Sequence, residues 1–164
     1  MKDYEYITKF PLGWRNHLRD ELHKEFGAYQ CSTSGTGAYR YYPPVVTNSI
    51  VGTIAAKLPS KPEGITLWGT IYYTPHYPRM KNLFQSRQGD REALIYEFGM
   101  FAHESYHAVE QEITGKLKWF IKYLLRLIKT PNAWKHPMEK PAYAFQDRLT
   151  SLARESATVD KDVA

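Results

Sequence analysis

One pentapeptide contains residue types that could bind a metal ion, His103-Glu104-Ser105-Tyr106-His107. In an α-helix, residues four positions apart lie on the same side, one turn above the other, so both imidazoles can approach one ion. Glu104 lies on the adjacent face, where its carboxylate could take a proton from a water that the ion polarises. This HExxH pattern is typical of zinc hydrolases, and it predicts zinc-dependent hydrolysis.

A third protein ligand is needed, because a catalytic zinc normally has three protein ligands and one open position. The chain has a single cysteine, Cys31, so the candidates are histidine and carboxylate side chains. Glu110 lies two turns beyond His103, about 10 Å along the axis, and a straight helix cannot bring both to one ion. Glu139 follows a helical hairpin of suitable length to fold back, and it is the favoured third ligand. His136 and Glu110 remain alternatives.

The elements that must position these side chains are predicted to be helices. The period of apolar residues predicts a helix over residues 91–112, which carries the pentapeptide, and another over residues 117–129. A final helix is expected over residues 142–155. Pro141 disfavours helical geometry at the residue before it, so Glu139 should lie at the N-terminus of this helix or just before it.

The first half of the chain predicts one helix and then a small sheet. Apolar residues at every fourth position predict an amphipathic helix over residues 13–26, followed by a stop at Gly27. From residue 28 to residue 74, aromatic and β-branched runs alternate with Gly, Pro and Ser, which is typical of strands and turns. The predicted strands lie within 37–42, 45–58 and 65–74, with turns at 34–37 and 59–64, and the polar stretch 75–90 is predicted to be a loop.

These elements predict an α+β fold, in which a small antiparallel sheet packs against the HExxH helix and further helices complete the domain. A chain of 164 residues, 43% hydrophobic and 24% charged, is long enough for one core. We expect a single domain over residues 1–155 and a flexible tail over residues 156–164.

Partners and compartment are only weakly indicated. The net charge of +5 is modest, and the N-terminus lacks the apolar segment of a secretory signal. One cysteine fits a reducing compartment, so a cytoplasmic location is expected. Basic residues on one side of the helix over residues 117–129 could contact nucleic acid or a membrane surface. The apolar side of that helix is expected to cover the active-site helix, which favours a solvated basic face and neither of these partners.

Three segments resemble small zinc-peptidase-like families of the gluzincin type: FAHESYHAVEQ at 101–111, LKWFIKYLLRLI at 117–128 and HPMEKPAYAF at 136–145. The family pattern runs from HExxHxxQ through an aromatic-rich helix to E-x-x-A-Y, and the ImmA/IrrE metallopeptidase family is a looser relation. The resemblance covers roughly residues 65–149. It implies a zincin-like domain in which His103, His107 and Glu139 hold zinc and Glu104 is the general base. It also implies that the strand before the motif borders the cleft and pairs with an extended peptide.

Glu110 departs from this pattern, because the family has Gln there and this chain has Gln111 one position later. Glu110 could instead accept a proton from a ligand imidazole. Tyr143, four residues after Glu139, could orient a ligand histidine or donate to an oxyanion, and it could equally be a core aromatic.

We therefore expect a zinc metallopeptidase that acts on a peptide or protein substrate, with Glu104 and Tyr143 as catalytic residues. The alternative is a catalytically silent zinc-binding module that recognises a protein or nucleic-acid partner.

Overall fold

The computed structural model describes residues 2–3, 5–27, 42–58, 60–130, 132 and 135–159. Cys31, the predicted turn at 34–37 and almost all of the predicted strand at 37–42 lie outside these residues. Within them, a 3-10 turn at Tyr6–Lys9 precedes the regular elements. These are α1 (Leu12–Phe26), β1 (Val45–Val46), α2 (Ile50–Ala55), β2 (Gly64–Leu67), β3 (Thr70–Tyr73), α3 (His76–Gln88), α4 (Asp90–Thr114), α5 (Lys116–Lys129) and α6 (Glu139–Val159).

The long helix α4 lies at the centre of the molecule and contacts α1, α3, α5, α6 and the β2–β3 hairpin. Its middle is buried on all sides, which explains why apolar residues there are not confined to one stripe. Phe98 and Phe101 are fully buried and pack against Phe10, with ring centroids 5.2 and 5.7 Å apart. From the other side, Phe145 of α6 completes this core. The predicted α+β class is confirmed.

The sheet has three strands in the order β1-β3-β2. β2 and β3 form an antiparallel hairpin in the register Gly64↔Tyr73 to Leu67↔Thr70, so the segment predicted as one strand is two. Trp68 and Gly69 connect them with φ of 50° and 71°, the positive values that a tight hairpin turn requires. β1 pairs with β3 in parallel, so the sheet is mixed rather than wholly antiparallel. The polypeptide crosses over through α2 between β1 and the hairpin, and such a crossover permits parallel pairing.

Two further predictions of local structure are wrong. Part of the predicted strand 45–58 is α2, whose first turn is capped by Ser49, because its side-chain oxygen accepts from the Gly52 N–H at 2.9 Å. A Cβ on Gly52 would lie 2.5 Å from the Tyr73 carbonyl oxygen, so glycine permits this helix to touch the sheet.

The predicted loop 75–90 is also wrong, because this stretch is helix α3. Two aromatic residues attach it to the core: Tyr77 stacks on Tyr73 at 4.0 Å and Phe84 stacks on Tyr96 at 4.4 Å. The polar composition of this stretch does not predict a helix. Tertiary contacts of this kind stabilise one.

The helices after α3 follow the prediction closely. α4 and α5 occupy the expected residues, and α6 begins at Glu139 with Pro141 in its first turn, where a missing N–H costs little. α6 continues to Val159, beyond residue 156 where the tail was expected to begin, and residues 160–164 lie outside the described part. No helix in the described part is long and apolar enough to cross a bilayer.

Candidate metal centre

The site is formed where α4 and α6 meet. His103 and His107 lie one turn apart in the buried middle of α4, and only 5% and 4% of their surfaces are exposed. Nε2 of His103 is 3.1 Å from Oε2 of Glu139, and Nε2 of His107 is 3.2 Å from the same oxygen. The structure therefore brings together the three side chains that the sequence suggested as metal ligands.

The donor set and its spacing fit a small metal ion. One nitrogen from each histidine and one oxygen of Glu139 all lie within 4.8 Å of one another. A tetrahedral zinc with bonds of about 2.0–2.1 Å places its ligand atoms about 3.3 Å apart, close to the two separations observed here. Two imidazoles and one carboxylate are also a ligand set that zinc hydrolases use. This buried cluster could hold a metal ion.

The two alternative ligands lie outside this group of three. His136 is fully buried, but its Nδ1 accepts from the Met138 N–H at 3.2 Å and its ring packs on Tyr123. Glu110 lies behind His107, with its Oε2 3.1 Å from Nδ1 of that histidine, and it also accepts from Nε1 of Trp119 at 3.2 Å. Glu110 therefore contacts the outer nitrogen of His107, in agreement with the role proposed for it from the sequence.

Charges within this cluster shift the pKa values of Glu139 and His107. Burial alone would raise the pKa of Glu139, but the neighbouring His107 and His103 outweigh it and hold the pKa well below its usual range. For His107, burial opposes protonation, whereas Glu139 and Glu110 favour it and raise the pKa to about 10. A carboxylate between two imidazoles thus attracts positive charge, either as protons or as a cation.

A phenol completes the surroundings of Glu139. The Tyr123 hydroxyl donates to Oε1 at 2.7 Å, which leaves Oε2 directed at the histidines. Tyr123 lies on α5, four residues after Trp119, and their rings stack at 5.1 Å. This contact was not predicted from the sequence, because in the sequence Tyr123 is one more aromatic residue in an amphipathic helix.

Glu104 is buried beside the three candidate ligands and is held by the β2 strand. Its Oε2 accepts from the Thr66 hydroxyl at 2.7 Å, and that hydroxyl also lies 2.9 Å from the Glu104 carbonyl oxygen. Its other oxygen faces Gly64, where an added Cβ would lie 2.9 Å from Oε1. Burial raises the pKa of Glu104 above the ordinary value. Neither Gly64 nor Thr66 was identified from the sequence as part of this site.

Gln111 attaches the β2–β3 hairpin to α4. Its amide donates to the Thr66 carbonyl oxygen at 2.7 Å, and its own Oε1 accepts from the Gly69 N–H at 3.3 Å. The glutamine one position later than in the family pattern thus contacts the strand that holds Glu104.

The cluster opens into a cleft of about 1170 Å³ whose walls come from α2, α3, α4, α5, β2 and α6. Apart from the site itself, its lining is mainly apolar, and it includes Ile54, Ile65, Met80, Met100, Phe120 and Leu127. Tyr143 also lines it, with its ring centroid 4.7 Å from that of His103. Burial, followed by the charges of Glu139 and Glu104, raises the pKa of Tyr143 to about 12, so its phenol is protonated near neutral pH.

No protein-family model, curated protein or solved structure matches the chain. The resemblance to gluzincin-type peptidases stays a prediction from the motif.

Proposed function

We propose that this protein is a zinc-dependent metallopeptidase. The observation that supports it best is the convergence of His103, His107 and Glu139, with a second buried carboxylate, Glu104, beside them in the same cleft. Zinc is the metal we favour, because two imidazoles and one carboxylate leave a position open for solvent in a four-coordinate site. When bound, zinc would act as a Lewis acid towards the scissile carbonyl and towards water.

Glu104 is proposed as the general base. Its carboxylate takes a proton from the attacking water and then delivers it to the amine that leaves. Burial makes this carboxylate a stronger proton acceptor, because it raises the pKa of Glu104 above the ordinary value for a glutamate. The hydroxyl of Thr66 fixes one carboxylate oxygen and so sets the direction of the other.

Tyr143 is proposed as a hydrogen-bond donor to the carbonyl oxygen as it gains negative charge. A phenol with a pKa of about 12 keeps its proton at neutral pH and can donate it in a hydrogen bond. Its ring lies against that of His103, on the wall of the cleft.

The substrate is proposed to be a peptide in extended conformation that adds to the outer edge of β2. The Thr74 N–H donates to the Glu63 carbonyl at 2.9 Å, which makes this a hydrogen-bonded pair. By the alternation of antiparallel strands, the backbone groups of Gly64 and Thr66 then point away from β3. The Gln111 side chain already donates to the Thr66 carbonyl oxygen. The Thr66 N–H and the backbone N–H and carbonyl of Gly64 face the side where a peptide strand could add. The apolar lining of the cleft favours apolar side chains in that peptide.

The first test is the metal content of the purified protein by elemental analysis. We expect about one zinc per chain in the wild type and a loss of at least tenfold in zinc affinity in His103→Ala, because one of three ligands is removed. Absence of stoichiometric zinc after incubation with excess metal would contradict the proposal.

The second test separates metal binding from catalysis. Hydrolysis of denatured casein and of a mixed quenched-fluorescent peptide library is measured for the wild type, for Glu104→Gln and for Glu112→Gln. Glu112 is the control, because it lies on the same helix and pairs with Lys116 at the surface. We expect Glu104→Gln to keep its zinc and to lose at least about a hundredfold in rate, with Glu112→Gln unchanged. Zinc binding without hydrolysis in the wild type would instead favour the silent zinc-binding module.

A further inference from the structure

Helix α5 exposes a row of large apolar side chains that the described part of the domain does not cover. Trp119 is the one residue of this helix that is buried. Four residues spaced at four, four and three positions lie on one face and are between 49% and 80% exposed: Leu117, Ile121, Leu125 and Ile128. We call this row the outward stripe. The apolar side of this helix was expected to cover the active-site helix, whereas the outward stripe is exposed.

Positive charge lies directly beside this stripe. Lys118, Lys122, Arg126 and Lys129 share the next face of α5, which we call the basic stripe, and α5 contains no acidic residue. In the part of the chain that the structure describes, no ion pair engages any of these four. The helix thus carries an exposed apolar surface and an exposed cationic surface side by side.

A tryptophan extends the apolar surface at one side. Trp68, in the turn between β2 and β3, is 56% exposed, and its ring centroid lies 5.7 Å from that of Phe120 on α5. An indole on a rigid turn, beside an apolar helix face, is the kind of anchor that proteins place at the headgroup level of a bilayer.

We propose that α5 and Trp68 bind the surface of an anionic lipid bilayer. The helix lies in the plane of the interface, with the outward stripe among the acyl chains and the basic stripe against the lipid phosphates. Strong amphipathicity, with basic residues on one face and large apolar residues on another, is typical of helices that bind in this way. At 14 residues, α5 is too short to span a bilayer, so it lies on the surface.

Charge and apolar surface together favour lipid over other partners. Nucleic acid would neutralise the basic stripe, but it would leave the four residues of the outward stripe in water. A second copy of the chain, docked through the same face, would bring two acid-free cationic helices together, which is repulsive. An anionic bilayer satisfies both stripes at once. Leu124 is partly exposed and lines the cleft, so this orientation places the cleft beside the membrane surface.

The test is sedimentation of the full chain with vesicles. We expect binding to vesicles made of equal parts of phosphatidylcholine and phosphatidylglycerol, and binding at least about tenfold weaker to phosphatidylcholine alone, with loss at high salt. Failure to bind the anionic vesicles at low salt would overturn the proposal.

Two matched pairs of variants locate the surface. Leu117→Asp and Leu12→Asp each replace a leucine that is 64% exposed at the start of a helix, so any general effect should be equal. We expect about tenfold weaker vesicle binding for Leu117→Asp and none of this loss for Leu12→Asp. Lys122→Glu and Lys24→Glu change the net charge equally, and about a tenfold loss is expected for Lys122→Glu alone.

Equal losses of vesicle binding within either pair would overturn the assignment to α5. The same conclusion would follow if the α5 variants lost binding to a mixed-sequence DNA duplex but kept vesicle binding. The proposal does not depend on the metal, so His103→Ala should bind vesicles like the wild type. Failure of the peptidase and failure of membrane binding are therefore separately observable.

Discussion

Two buried acids that line the same cleft as His103 and His107 have opposite pKa shifts. Glu139 is bounded by two imidazoles and a phenol, and its pKa is lowered. Glu104 receives one hydrogen bond from Thr66 and lies against Gly64, and its pKa is raised because burial dominates. A carboxylate that stays ionised is suited to bind a metal, and a carboxylate that accepts a proton readily is suited to act as a base. The two environments therefore favour Glu139 as the ligand and Glu104 as the general base.

Gly64→Ala tests the position of Glu104. The added methyl group would lie 2.9 Å from Oε1 and 3.2 Å from the carboxyl carbon, so the carboxylate must move away from its place beside Thr66. We expect zinc content to be retained and the hydrolysis rate to fall by about tenfold to a hundredfold, because a small misplacement of a catalytic group is costly. Gly13→Ala is the control, since no tertiary neighbour among the described residues lies within 4 Å of its added methyl group. Equal activities of the two variants would show that the contact has no role.

Tyr123→Phe tests the hydrogen bond to Glu139. The variant keeps the ring and removes the hydroxyl that donates to Oε1 at 2.7 Å. Loss of such an outer contact typically weakens metal binding by about tenfold to a hundredfold, and a competition assay with a zinc chelator measures this. The control is Tyr96→Phe, because in the described residues the Tyr96 hydroxyl is buried without a hydrogen-bond partner. An unchanged zinc affinity in Tyr123→Phe would contradict the proposed role.

At the scale of elements, the site depends on how closely α4 and α6 approach. His103 and His107 belong to α4 and Glu139 to α6, and these two helices have the most extensive contact in the structure. Gly99, one turn before His103, lies at that contact, where an added Cβ would be 2.6 Å from Cγ2 of Thr150. A glycine in the helix interior normally costs stability, so its use here reflects the close approach.

Gly99→Ala should push α4 and α6 apart. We expect a loss of about 1–3 kcal/mol in the free energy of unfolding, the usual cost of overpacking, together with weaker zinc binding. Denaturant unfolding and zinc competition measure the two effects. The double variant Gly99→Ala with Thr150→Ser removes the methyl group that clashes, and it should recover part of both losses. If the second substitution recovers nothing, the clash with Thr150 is not the cause.

At the scale of the whole molecule, one buried acid ties three separate segments together. Glu97 of α4 is 1% exposed; it contacts Tyr6 and Lys9 of the 3-10 turn, and Lys81 of α3 lies 2.8 Å from its Oε2. Burial would raise the pKa of Glu97, but the contacts with Lys81, Lys9 and Tyr6 outweigh it and lower the pKa below its ordinary value. None of these residues is a candidate metal ligand, and we expect the cluster to stabilise the fold.

The contribution of Glu97 to the free energy of unfolding should depend on pH. Because the folded-state pKa of Glu97 is lowered, its contribution is complete above the unfolded value of about 4.3 and is lost as the pH falls through the folded value. Glu97→Gln should therefore lose about 2–3 kcal/mol near neutral pH, and the difference from wild type should shrink in acid. Denaturant unfolding at several pH values measures this. Glu92→Gln, which alters a surface pair with Arg154, should have little effect at any pH. A constant difference for Glu97→Gln would contradict this account.

Local periodicity was enough to predict α1, α4, α5 and most of α6, together with the α+β class. These helices repeat apolar residues at the helical period, a property of the sequence itself. Pro141 predicted that Glu139 lies at the N-terminus of its helix or just before it, and α6 begins at Glu139. The HExxH spacing likewise indicated two histidines on one face. The structure brings these together with Glu139.

Only the tertiary structure decided the rest. α2 and α3 are helices because Gly52 permits contact with the sheet and because Tyr77 stacks on Tyr73, and neither contact is visible in local composition. The same holds for Thr66 and Tyr123, whose hydroxyls reach acids 38 and 16 residues away. Spacing along a helix determines which side chains share a face. Which face is covered, and by what, depends on contacts between residues distant in sequence. Among the described residues, none covers the outward stripe of α5.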